Sequence, residues 1–226
     1  MKRILLATAA IGLATTVAAH AAPVTSSSVE IWGADTPNSD SNSVSQQGLP
    51  TAVGLFGGPL PLITNNPTYV APINYSDSSD NTIGGFFTTA GNPIPPNCQP
   101  ASQCQGVTLS TGGFAHATVM EFIFTVATGG TFSVDHDDGI SLFATGTEPG
   151  GTNLIPGQSA PTTVEHGSAV LTAGTYDLWY AEVNGLPAVL QTDFVPNAVP
   201  EPASLALFGT ALAGLAWRSR RRRKSM

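Results

Sequence analysis

The plainest alternation of apolar and polar positions lies in the second half of the chain. Residues 118–126 place Met120, Phe122, Phe124 and Val126 on one face, the period of two that marks a half-buried strand. Residues 131–135 and 140–144 read as a pair of strands around Asp137-Asp138-Gly139. Residues 168–171 lead into a turn at Thr172-Ala173-Gly174. Residues 175–183 form a long strand, with Tyr176, Leu178 and Tyr180 on one face and Trp179, Ala181 and Val183 on the other. Asn184-Gly185 is a hairpin-turn pair, and residues 188–194 return. The first half is loop-heavy. Short strands are expected at 29–32, 51–56, 69–73 and 83–88, with a polar stretch at 35–47 and a Pro-rich loop at 92–105. No segment between the chain ends carries a helical period. Short strands separated by turn residues predict an all-β fold, a β-sandwich or barrel.

The register around Asp138-Gly139 follows from the same alternation. A two-residue turn would mix polar and apolar side chains on one face. A three-residue loop, Asp137-Asp138-Gly139, pairs His136 with Ile140, Val134 with Leu142 and Phe132 with Ala144. That gathers Phe132, Val134, Ile140, Leu142 and Ala144 on one face, as a buried sheet requires. Gly139 then takes the left-handed position of a bulged hairpin. Asp137 and Asp138 occupy its exposed tip, and His136 packs on the apolar side.

Both chain ends break the pattern. Lys2 and Arg3 precede an apolar run from Ile4 to Ala19, and Ala19-His20-Ala21 fits a small-x-small cleavage site. Residues 1–21 are therefore expected to be a signal peptide, with the mature chain starting at Ala22. At the other end Val199-Pro200-Glu201-Pro202 precedes the apolar run Ala203 to Trp217, then Arg218-Ser219-Arg220-Arg221-Arg222-Arg223-Lys224. As a helix, residues 203–217 would span roughly 22 Å, short of the ~30 Å hydrocarbon core of a bilayer. Trp217 would lie at an interface and the arginines would remain cytoplasmic.

These three parts, in this order, resemble the PEP-CTERM signal of Gram-negative bacteria. The resemblance implies export through the secretion machinery. It also implies a transient inner-membrane intermediate held by 203–217, and recognition of Pro200, Glu201 and Pro202 by an exosortase. Removal of 199–226 would deliver residues 22–198 to the cell-envelope surface or the extracellular matrix. A permanent C-terminal anchor is the alternative.

Charge sharpens this division. The chain has a net charge of -7, from eight Lys and Arg and 15 Asp and Glu. Every Lys and Arg lies in the two ends, and every acid lies between Ile4 and Trp217. The exported domain is thus a polyanion without fixed cations. Nucleic-acid binding is excluded, since no basic side chain can neutralise phosphate. Only histidine or the new N-terminus can form ion pairs. Contact with an acidic polymer would need a bridging cation such as Ca²⁺; otherwise the acidity serves solubility. Cys98 and Cys104 are expected to form an intraloop disulfide in an oxidising compartment, worth about 2 kcal/mol at best. Their spacing fits neither a redox Cys-x-x-Cys pair nor a zinc site.

The stretch Phe132-Ser133-Val134-Asp135-His136-Asp137-Asp138-Gly139-Ile140-Ser141-Leu142-Phe143 is similar to the central motif of the protective-antigen-type β-sandwich family. Val170 to Gly185 is similar to that family's closing strands. The match covers roughly residues 119–194. The family's domain occurs in adhesins, toxins and glycosidases. The resemblance implies a jelly-roll-like β-sandwich. In the sugar-binding members adjacent aspartates hold a Ca²⁺ that coordinates ligand hydroxyls, which would make Asp137 and Asp138 calcium ligands here. Hard carboxylate oxygens suit Ca²⁺; turn chemistry alone also accounts for Asp-Asp-Gly.

Other chemistry is sparse. No His-Glu-x-x-His, Gly-x-Ser-x-Gly or phosphate-loop motif occurs, and His116 and Glu165-His166 stand apart from other candidates. Trp32 and Trp179 could stack on sugar rings or pack in a core. No enzymatic activity is expected. The leading reading is a non-catalytic carbohydrate-binding module, assisted by Ca²⁺ and acting on exopolysaccharide. The alternatives are a structural biofilm or envelope protein with no small-molecule site, and a secreted glycoside hydrolase built on paired carboxylates.

Overall fold

The computed structural model describes residues 20–35, 62–88, 106–111, 116–147, 151–158, 163–197, 210 and 212. The chain divides into two units, Ala19–Asn197 and a second comprising Met1–Ala18 with Ala198–Met226. Of the second unit only Thr210 and Leu212 are described; both are helical and exposed. Ala19, Cys98, Cys104, the motif Pro200–Pro202 and the strand expected at 51–56 lie outside the described residues. Among the described residues no helix is long and apolar enough to cross a membrane.

The Ala19–Asn197 unit is an antiparallel β-sandwich. One sheet contains β1 (Thr25–Asp35), β2 (Leu62–Asn66), β3 (Ala71–Pro72), β5 (His116–Val126), β7 (Gly139–Ala144) and β9 (Gly174–Glu182). Its strand order is β2-β1-β5-β9-β7, with β3 also paired to β1. The other sheet contains β4 (Asn74–Asp77), β6 (Gly130–Asp137), β8 (Glu165–Leu171) and β10 (Ala188–Pro196), in the order β4-β10-β6-β8. A short helix, α1 (Ile83–Thr88), follows β4.

Alternation fixes which side chains enter the core. Met120, Phe122 and Phe124 of β5 point inward as their spacing predicts, with Leu178 and Tyr180 of β9 beside them. From the opposite sheet come Phe132 and Val134 of β6, Leu190 of β10 and Tyr75 of β4. Phe124 stacks on Phe132 at 5.5 Å and Tyr75 on Phe122 at 5.6 Å, so the two sheets meet through aromatic rings. Full burial of each such side chain stabilises the fold by about 1.5–3 kcal/mol.

Two expectations fail here, for physical reasons. Residues 83–88 form α1 rather than a strand. A short apolar run has no period that separates strand from helix. The outcome is set by capping: the Thr82 hydroxyl accepts a hydrogen bond from Gly85 N–H at 2.9 Å, and Thr82 C=O accepts Phe86 N–H at 3.0 Å. The second failure is the hairpin. Strands β6 and β7 lie in different sheets, so His136 pairs with Leu190 and Glu165, and Ile140 with Tyr180. Phe132, Val134, Ile140 and Leu142 still share the core, but from opposing sheets, while Ala144 is exposed. Asn184-Gly185 likewise carries the chain from one sheet to the other.

Candidate functional site

Asp137-Asp138-Gly139 forms the corner where the chain leaves β6 and enters β7. Asp137 ends β6 opposite Val189, and Gly139 begins β7 opposite Ala181. The peptide bond between the two aspartates is cis. Neither carboxyl is at an exposed tip: Asp137 is 3% and Asp138 0% exposed. The expectation of a solvated hairpin loop is corrected by the crossover, which tucks the corner under the end of β9.

That end of β9 holds Asp138. Its Oδ2 accepts the N–H groups of Val183 at 2.9 Å and Asn184 at 3.1 Å. Two backbone donors satisfy that buried oxygen. Asp137 is in the opposite position. Burial, then the Asp138 charge and a hydrogen bond between the two carboxyls, push Asp137 up to about 7. Its Oδ1 is buried with no hydrogen-bond partner. His136, inward-facing as expected and 0% exposed, braces the corner: Nδ1 contacts Asp138 O at 2.5 Å and Nε2 contacts Gln158 Oε1 at 2.7 Å.

Sequence reasoning missed a third acid beneath the pair. Glu182 is fully buried. Its Oε1 accepts Ser110 Oγ–H at 2.9 Å, and Ser110 Oγ accepts Gly185 N–H at 3.0 Å. Its Oε2 lies 2.6 Å from Tyr180 Oη, which is also 2.5 Å from Asp137 O. A phenol has a single proton and both neighbours are acceptors, so one contact must be donated by Glu182. A protonated Glu182 closes the chain: its O–H donates to Tyr180, and Tyr180 donates to the Asp137 carbonyl. Burial first, and Asp138 second, raise the Glu182 carboxyl well above the usual range; burial likewise raises the Tyr180 phenol. The signal was in the alternation, because Tyr176, Leu178 and Tyr180 point inward and Glu182 is the next position on that face.

The remaining candidates are dispersed. Trp32 and Trp179 stack on each other at 5.6 Å; Trp179 is 5% exposed and packed, while Trp32 is half-buried. His166 pairs with Asp135, Nδ1 to Oδ1, at 2.7 Å, on the outer face of the four-stranded sheet. Among the described residues no three His, Cys, Asp or Glu side chains converge where a metal could bind. Any further ligands at the Asp137-Asp138 corner would be carbonyls, waters or hydroxyls.

Residues 198–222 match the PEP-CTERM protein-sorting motif. The chain is therefore an exported protein sorted by an exosortase to the cell envelope or surface. No curated protein matches it. A solved structure, the Epithelial Adhesin 6 A domain (Epa6A) of Candida glabrata in complex with Galb1-3GlcNAc, aligns over 80% of this chain and 83% of that one. The identity is 11% and the TM-score 0.39.

Proposed function

We propose that the exported domain, residues 22–198 after loss of the signal peptide and the sorting segment, is a non-catalytic carbohydrate-binding module of the cell surface or matrix. Ca²⁺ at Asp137 and Asp138 would form its binding centre. The observation that carries this reading is the buried carboxyl pair with an orphaned oxygen. Two adjacent carboxyls in a site of low dielectric do not both ionise without a cation. A domain lacking Lys and Arg offers no fixed positive charge to share. Either a proton or a bound cation must take that place, and Asp137 Oδ1 is buried without a hydrogen-bond partner.

Ca²⁺ takes six to eight oxygens. Two carboxylates therefore leave positions for carbonyls and waters, and, since Asp137 and Asp138 are 3% and 0% exposed, the hydroxyls of a ligand would reach the ion only through an opening of the corner. The cation would supply charge neutralisation there and, in the opened corner, a coordination point for hydroxyls. The chain supplies two fixed carboxylates, one held by Val183 and Asn184 N–H, on a corner braced by His136.

The test is a thermal melt of the full-length protein in detergent, in EDTA and in rising Ca²⁺. A specific native-state site should raise Tm saturably, by an amount equivalent to ~2.7 kcal/mol at one hundred times Kd. The Asp137→Asn, Asp138→Asn double variant should lose the rise, and with it Ca²⁺-dependent binding on a glycan array. A Tm indifferent to Ca²⁺ would return the aspartates to a structural role and leave the matrix protein without a small-molecule site as the better account.

A further inference from the structure

The outer face of the four-stranded sheet contains a groove of about 210 Å³ that the Asp137-Asp138 corner does not use. Register builds it. Gln191 of β10 pairs with Asn74 of β4 on one side and Asp135 of β6 on the other, and Asp135 pairs with His166 of β8. Four polar side chains from four neighbouring strands thus form one row across the sheet. In the next row Asp193 pairs with Ser133.

One wall of the groove comes from the start of the folded unit. Ala22 bridges to Phe194, and Val24 N–H donates to Thr192 Oγ1 at 3.1 Å. Residues 22–24 therefore run along β10 beyond the end of β4, and Pro23 lines the cavity. The Asp135 and His166 side chains, 51% and 63% exposed, meet at 2.7 Å beside the cavity. The groove is thus a depression walled on one side by Pro23 and lined mostly by polar groups.

We propose that this groove is a second saccharide site that takes one neutral sugar residue through its hydroxyls. The proposal rests on the reading of the protein as a glycan binder. Carboxylates accept from hydroxyls, amides both donate and accept, and an imidazole oriented by its carboxylate partner adds a further polar atom. This is the complement that a polyol needs. The volume is below the ~300–1,000 Å³ of drug-sized pockets, which matches a single ring and not a longer chain. Asp135 and Asp193, in a domain with no Lys or Arg, repel uronic or sulfated sugars.

The experiment is an amide nitrogen–proton NMR titration of the labelled full-length protein in detergent, with EDTA present throughout. Glucose, galactose, mannose and glucuronate are the probes. The expected result is saturable shifts at Ser133, Asp135, His166 and Gln191 with at least one neutral sugar and none with glucuronate. Gln191→Ala and Asp135→Asn should each abolish the shifts, while the Asp137→Asn, Asp138→Asn variant keeps them. Silence of the groove amides with every neutral sugar overturns the proposal, as do equal shifts with glucuronate or shifts that survive Gln191→Ala. If the groove is silent but Ca²⁺-dependent glycan binding persists, the second site fails and the corner site stands. If the groove responds and Ca²⁺ has no effect, the corner site fails instead.

Discussion

Glu182 shows what a single buried carboxyl does to the pH dependence of this fold. Its hydrogen-bond chain through Ser110 and Tyr180 closes only with the acid protonated. Unfolded, a glutamate titrates near ~4.3; folded, Glu182 titrates well above its ordinary value. Between those two values the folded state holds the extra proton. Stability is therefore full below the unfolded value and is lost as the pH climbs toward the folded one. Asp137, raised to about 7, acts in the same direction. Thermal melts in EDTA should show Tm highest in mild acid and falling as the solution becomes alkaline, the reverse of ordinary acid denaturation. Glu182→Gln presents the same acceptor to Ser110 and a permanent donor to Tyr180. It should leave Tm in mild acid nearly unchanged and flatten part of the slope. An unaltered slope would mean that Glu182 is ionised in the folded protein. Asp137, Asp138 and His136 were legible in the sequence as a cluster. The inward face of His136 was legible as well; the burial of the two aspartates was not, because it depends on β9, which is remote in sequence.

Strands were legible wherever alternation was long. The faces of β5 and β9 follow directly from the spacing of Phe122, Phe124, Leu178 and Tyr180. Connections were not legible. Asp138-Gly139 and Asn184-Gly185 have hairpin chemistry, yet each turns a corner between sheets. A tight turn fixes local backbone direction but not whether the next strand pairs beside the last or across the core; inward alternation is satisfied by both. From β5 to β10 every successive strand changes sheet, the alternation of a jelly-roll-like sandwich. The helix α1 was hidden for a related reason: its apolar run plugs the core and buries almost all round. Phe86 stacks on Tyr180 at 5.5 Å with a 7° interplanar angle, and Phe87 meets Tyr75 edge-on at 4.8 Å. Phe86→Ala should cost ~3–5 kcal/mol as a core truncation, whereas Thr82→Ala, which removes only the cap, should cost ~1 kcal/mol. Urea denaturation of both variants checks the ordering. Equal small losses would mean that α1 is not a structural plug.

The whole chain is partitioned by charge in a way that makes its processing measurable. All Lys and Arg lie in residues 2–3 and 218–224, while every acid except Glu201 belongs to residues 22–198. Removal of both ends therefore strips every fixed cation and only one carboxyl. The full chain has a mass of 23.2 kDa and a pI near 4.8, so the product of sorting must be both smaller and more acidic. In the PEP-CTERM motif, Glu201 carries the one charge between residue 197 and the apolar run. Glu201→Ala preserves the prolines, the apolar run and the arginines, and removes only that charge. In a host with an exosortase, the parent protein should appear outside the inner membrane as the shorter, more acidic species. Glu201→Ala should remain in the membrane fraction with its arginines attached, and should focus at a higher pH than the processed form. The folded unit has its own core and does not depend on Glu201, so its melting behaviour should be unchanged, which separates a sorting defect from misfolding. Processing of Glu201→Ala to the same mass as the parent would show that the acidic residue is not what the sorting enzyme reads.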